Sequence, residues 1–166
     1  MQKLYLDCDG VILNTIEVTY RMIKEKGLTL EKDIRHFYRT LSWEALIIEA
    51  GQIDSSIEKI KELSKYYDIE ILTHVNSVGE VIAKIKYFNE VLPGIKVITV
   101  PKEVQKADFI TPNGAILVDD YLPNLEYWYE KGGVPIKFSS SNKECKFECI
   151  TDLLELLNKS KIKVRE

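Results

Sequence analysis

Two acids one residue apart, Asp7 and Asp9, close the apolar run Leu4-Tyr5-Leu6 and are followed by Gly10 and Val11. If a strand persists to Asp9, its period of two sends both carboxylates to one side at the C-terminal end. Two anions so close repel, and a folding core has no use for them; a cation or a proton-transfer task does. Further polar groups stand after later apolar runs: Thr73, then Lys102 and Lys106, then Asp119 with Asp120. Taken singly, each has an ordinary explanation. A threonine there caps a helix, a lysine is solvated, and Asp-Asp before Tyr-Leu-Pro-Asn makes a turn. Taken together, they put four carboxylates on one rim, which asks for a divalent cation. Mg2+ suits a few carboxylates combined with phosphate oxygens and water. A hydroxyl, a lysine and free backbone N–H groups are what the equatorial oxygens of a phosphoryl group require. The set reads as metal-assisted phosphoryl transfer.

The elements that must carry these groups alternate. After the first strand, Asn14 or Thr15 caps a helix with Ile16, Tyr20 and Ile23 on one face, stopped at Gly27. Ile34, Phe37, Tyr38 and Leu41 recur at helical spacing, and Ser42 then caps a helix from Trp43 to Ala50. Ser55 with Glu58 forms a capping-box pattern before Ile57, Ile60, Leu63 and Tyr67. Strand two, Asp68 to Thr73, therefore follows a stretch far longer than one crossover helix needs. The surplus predicts a helical insertion over the C-terminal edge of the sheet, dividing the chain into a core (1–14 and 68–166) and a cap (15–67). Beyond it, Ser77 with Glu80 opens a helix whose inward face is expected to be Val81, Ile82, Ile85 and Phe88. Ile95 to Val100 is strand three and Glu103 to Phe109 a short helix. Asn113-Gly114 turns into strand four, Ala115 to Val118, and a helix with Tyr127 and Trp128 follows, closed by Gly132-Gly133. Val134 to Phe138 is strand five, Thr151 to Asn158 a last helix with Leu153, Leu154 and Leu157 inward, and Lys159 to Glu166 a solvated tail. The expected fold is α/β, a three-layer Rossmann-like core with a mostly parallel sheet plus the small cap.

Bulk properties exclude other classes. At 166 residues, with 45% hydrophobic and 30% charged residues, the chain is one domain with an elaboration and ordinary globular composition. A net charge of -3 argues against stable nucleic-acid binding. No apolar run approaches the about 18 residues of a membrane span, and no signal-peptide core is visible, so a cytoplasmic protein is expected. Cys8, Cys145 and Cys149 form no metal-binding or disulfide pattern.

A phosphoacceptor receiver domain uses similar parts but in another order: an acidic pair, a lone Asp, Thr, then Lys. The order here is acid-x-acid, Thr, Lys, acid-acid, and it resembles the haloacid dehalogenase (HAD) superfamily of phosphohydrolases. Asp7-Cys8-Asp9-Gly10-Val11 matches the first motif, Thr73 the second, Lys106 or Lys102 the third, and Asp119-Asp120 the fourth. Lys106 is preferred because it heads Lys-Ala-Asp-Phe-Ile, a form associated with such relatives. The insertion after the first motif resembles a C1-type cap. Leu117-Val118-Asp119-Asp120 and the small size look most like the 5'(3')-deoxyribonucleotidase branch. Val11 where threonine is commoner, Asn14 in place of an acid, and Asn124 where a third carboxylate is usual are departures.

The resemblance implies a Mg2+-dependent phosphomonoesterase for a small phosphorylated metabolite, with a (deoxy)nucleoside monophosphate as best guess. A sugar phosphate or a nucleic-acid 3'-phosphate end is the alternative within the chemistry, and a non-catalytic binding protein the alternative outside it. It implies that Asp7 is the nucleophile and that Asp9 moves the proton and lends its backbone carbonyl to the metal. Asp7, Asp119 and Asp120 would supply carboxylates, Asp120 as the favoured direct ligand. Thr73, the backbone N–H of His74 and the motif lysine would hold the phosphate. Tyr20, His36, Phe37, Tyr38 and Trp43 are candidates to stack on the substrate or to build the cap's own core.

Overall fold

In the computed structural model, which describes residues 1–139, 141 and 146–159, the chain opens with β1 (Gln2–Leu6), the strand between the two halves of the sheet. Four helices follow: α1 (Thr15–Glu25), α2 (Glu31–Thr40), α3 (Trp43–Ala50) and α4 (Ser56–Leu63). Then come β2 (Tyr67–Val75), α5 (Val78–Val91), β3 (Lys96–Pro101), α6 (Lys106–Phe109) and β4 (Ile116–Asp119). α7 (Leu122–Glu130), β5 (Val134–Phe138), β6 (Glu148–Ile150) and a 3-10 helix (Leu153–Lys159) complete the described chain. Six strands lie in the order β3-β2-β1-β4-β5-β6, and every pair is parallel. The fold is the expected α/β Rossmann-like architecture. Its strand order reverses at β1 and β4, where an open parallel sheet makes a ligand crevice at the carboxyl ends.

Strand periodicity divides the core in two. Leu4 and Leu6 of β1, Ile69 and Ile71 of β2, and Ile116 and Val118 of β4 pack with Val18, Leu46, Ile60 and Phe88. The intervening Tyr5, Leu72 and Leu117 pack on the opposite face with Ala107, Leu125 and Trp128. Each fully buried Leu or Ile contributes about 1.5–3 kcal/mol by leaving water, so the two clusters hold both helical layers to the sheet. α4 sends Ile57, Ile60 and Leu63 into the first cluster.

Four local expectations are corrected. β1 stops at Leu6 because the amides of Val11, Ile12 and Leu13 all turn back to the Cys8 carbonyl, so period two does not reach Asp9. The Ser55–Glu58 box does not form: Ser55 is left-handed (φ 55°), its side chain caps nothing, and Gln52 Oε1 accepts from the Ile57 amide instead. On α5 the inward residues are Glu80, Ala83, Lys84 and Phe88, while Ile82 is exposed. Ser77 does accept from the Glu80 amide, but the Glu80 carboxylate turns to the Asn76 amide. At the end, β6 was not expected, and the last helix is 3-10, burying Leu153 and Leu156 three apart. Cys145 and the tail residues 160–166 lie outside the described residues. No helix among the described residues is long and apolar enough to cross a membrane.

Candidate active site

The side-chain parity of the sheet sorts the polar groups. Asp7 follows the parity of Tyr5, Asp119 that of Leu117, and both meet α6 and α7. Lys106, the first residue of α6, is buried, with Nζ 2.9 Å from Asp7 Oδ1 and 2.7 Å from Asp119 Oδ2. The Asp7 amide continues the ladder by donating to the Val118 carbonyl, which places Asp7 at the reversal point of the sheet. Asp119 also accepts from Asn124 Nδ2 at 3.0 Å and from the Tyr121 amide at 2.9 Å. Of the two lysines left open by the sequence, Lys106 is the one that touches Asp7; Lys102 is exposed at the cavity.

Asp120 reaches the same spot from beyond β4. Carboxylate oxygens of Asp7, Asp119 and Asp120 lie within 4.8 Å of one another. Gly10, at φ 80°, admits this approach, since a Cβ there would overlap Asp120 Oδ2. The electrostatics are lopsided: one ammonium serves three acids. Burial and the charge of Asp119 push Asp120 up to about 7. Burial and Asp119 likewise raise Asp7 well above the carboxylate range, against the pull of Lys106. An all-oxygen set with surplus negative charge suits a hard divalent cation such as Mg2+. The residues present therefore fit the metal that the sequence implied.

Asp9 belongs to the other side of the sheet edge. Thr15 Oγ1 donates to its Oδ1 at 2.6 Å and Lys84 Nζ to its Oδ2 at 2.7 Å. Burial alone would raise Asp9, but Lys84 and these two hydrogen bonds outweigh it and hold the carboxyl below its ordinary range. Thr73, on the parity of Ile69 and Ile71, shares this side: it accepts from Lys84 Nζ at 2.9 Å and is fully buried. Lys84 is the functional candidate that sequence reasoning missed. Glu80 and Lys84 are spaced i, i+4, the pattern of a solvated helix surface, so nothing in the sequence marked them for burial.

His74 faces the cavity with its ring tied to the Val104 carbonyl (Nε2 to O, 2.7 Å). A carbonyl only accepts, so Nε2 carries the proton. Burial and nearby Lys106 lower its pKa to about 4, which keeps the ring neutral.

Above these groups opens a cavity of about 730 Å3. Asp7, Asp9, His74, Asp120 and Asn124 reach it from the sheet edge, whereas Thr73, Lys106 and Asp119 lie beneath. Its far wall is mainly apolar, with Ile16, Tyr20 and Ile23 of α1, Ile34 and Tyr38 of α2 and Trp43 of α3, and also carries Thr19, Lys24 and Thr29. The α1 stripe read from the sequence thus faces the cavity, and Thr15, Val18 and Thr19 form the face buried in the protein. Phe37 is buried against Tyr38, and His36 is exposed away from the cavity.

No protein-family model and no curated sequence matches the chain. Solved structures do. A haloacid dehalogenase-like family hydrolase from Xanthomonas campestris aligns at TM-score 0.69 and 12% identity, over 99% of this chain and 93% of its own. One from Streptococcus pneumoniae aligns at TM-score 0.63 and 18% identity, over 96% and 98%. A HAD family hydrolase from Deinococcus radiodurans, with bound phosphate and sodium, aligns at 0.63 and 14%, over 96% of each chain. Over its described residues the chain thus has the fold of HAD-superfamily hydrolases.

Proposed function

We propose that this chain is a cytoplasmic, Mg2+-dependent phosphomonoesterase that works through an aspartyl phosphate on Asp7. The observation carrying this reading is the placement of Asp7 at the reversal point of the sheet, paired with Lys106, within ligand distance of Asp119 and Asp120 and open to the cavity. The phosphate held by the Deinococcus radiodurans neighbour supports it.

Asp7 attacks phosphorus, the ester P–O bond breaks, and the leaving alkoxide takes a proton from Asp9, which is ionised in the free protein and receives that proton from the incoming phosphate monoanion. Water then attacks the aspartyl phosphate, Asp9 takes the proton back, and inorganic phosphate leaves. Lys106 offsets the charge of Asp7 and the phosphate. Thr73, turned from its present partners, and the His74 amide hold phosphate oxygens. Asp7, Asp119, Asp120 and the Asp9 carbonyl would hold Mg2+, which supplies charge neutralisation on the transferring phosphoryl group. Segment 15–67 acts as the cap that reads the ester. Its apolar wall favours a ring-bearing leaving group without further charge, hence a (deoxy)nucleoside monophosphate over a sugar phosphate, in the manner of the 5'(3')-deoxyribonucleotidase branch.

The test is hydrolysis of a phosphomonoester panel with Mg2+ and with EDTA, beside Asp7→Asn. Activity confined to wild type with metal, and highest on deoxynucleoside monophosphates, is expected. Equal turnover by wild type and variant would overturn the reading.

A further inference from the structure

Lys84 is fully buried, and its ammonium has three protons to give. They go to Asp9 Oδ2 (2.7 Å), Thr73 Oγ1 (2.9 Å) and the His74 carbonyl (3.1 Å). A fourth neighbour, Glu80 Oε2, lies closer still at 2.6 Å, so the ammonium is ion-paired to two carboxylates and its three protons are shared among four oxygens. Glu80 thus pairs with the ammonium through Oε2, while its other oxygen accepts from the backbone and side-chain amides of Asn76. Opposite it, the Trp43 ring lies 4.9 Å from Nζ, and its indole N–H donates to the Tyr38 carbonyl. A lysine held this way has one available position. Burying an ammonium with two carboxylates is costly unless every partner is satisfied, and an apolar residue would pack the same space without that cost.

From this geometry we infer that Lys84 is a positioning residue: it locks the Asp9 carboxylate in one orientation, with Glu80 and Trp43 locking Lys84 in turn. The inference rests on the role proposed above for Asp9. Thr15 holds only Oδ1 of Asp9, so without Lys84 the carboxylate is free to swing about that single bond. Trp43 also walls the cavity, so the cap side of the pocket bears directly on the residue that orients the proton carrier.

Leaving-group dependence separates positioning from mere structural support. An alkyl phosphate needs Asp9 to protonate the departing oxygen, whereas 4-nitrophenolate leaves 4-nitrophenyl phosphate without that help. Lys84→Met is expected to slow first-turnover alcohol release from an alkyl ester roughly 100-fold, with the first-turnover release of 4-nitrophenolate nearly unchanged. Lys84→Met with Glu80→Gln removes the stranded acid and serves as the variant that folds if the single one does not. Equal losses on both esters would overturn the inference. Crystal structures of wild type and the double variant decide it separately: a displaced Asp9 carboxylate supports the lock, and an unmoved one removes it. If wild type hydrolyses neither ester, the phosphomonoesterase reading fails, and the crystal structures still judge Lys84.

Discussion

At the residue scale, the site depends on which lysine neutralises which acid. Lys106 bridges Asp7 and Asp119 at hydrogen-bond distance with none of the three well exposed, and its charged form is favoured because the two acids outweigh its burial. Lys106→Met would leave both carboxylates uncompensated and is expected to lose about 3–5 kcal/mol of unfolding free energy, together with any activity. Lys102→Met removes an exposed side chain and should change stability by no more than about 0.5 kcal/mol. Denaturant titration of the two variants in parallel checks the pair, and reversed losses would reassign the motif lysine. Sequence spacing narrowed this choice to two residues. The family resemblance favoured Lys106, but spacing went no further, because both follow β3 within a few positions and only the start of α6 at Lys106 turns one of them under the sheet edge.

At the element scale, side chains replaced one another in roles that local patterns assign by type. The start of α4 carries a Ser-x-x-Glu pattern, yet Gln52 does the capping, because Ser55 sits at φ 55° and the neighbouring Ser56 hydroxyl donates to the Ile12 carbonyl. Gln52→Ala is therefore expected to cost about 1 kcal/mol and Ser55→Ala to show no loss of a cap, measured by thermal or chemical unfolding. On α5, tertiary demand overrode hydrophobic pattern. Facing Glu80 and Lys84 inward meets Asp9 and Thr73, and it rotates Ile82 and Val78 out to water. On α1 the apolar stripe was legible but its destination was not. A run such as Ile16, Tyr20 and Ile23 has the same period whether it faces a core or a cavity.

At the scale of the whole molecule, the sheet edge holds two ionic clusters on opposite faces. Asp7, Asp119, Asp120 and Lys106 make one, with surplus negative charge; Asp9, Glu80 and Lys84 make the other. A cation that binds the first only in the folded state must stabilise the whole fold, by about 2.7 kcal/mol at a hundredfold excess over its Kd. Mg2+ is thus expected to raise Tm in wild type and to do so less in Asp120→Asn. A calorimetric scan with and without Mg2+ measures both, and an unchanged Tm in wild type would count against the metal site. The fold class was legible because alternation of strand and helix periods is a local signal that a parallel sheet must obey. The placement of Asp7, Thr73 and Asp119-Asp120 was legible as well, since each lies within two residues of a strand's C-terminal end and parallel strands end on one rim. What the sequence by itself determined, then, was the set of groups delivered to that rim. Tertiary structure alone decided how they divide. β1 ends three residues before Asp9, so Asp9 leaves the side of its partner Asp7 and meets Lys84, a residue whose burial depends on contacts far away in the chain and so leaves no local trace.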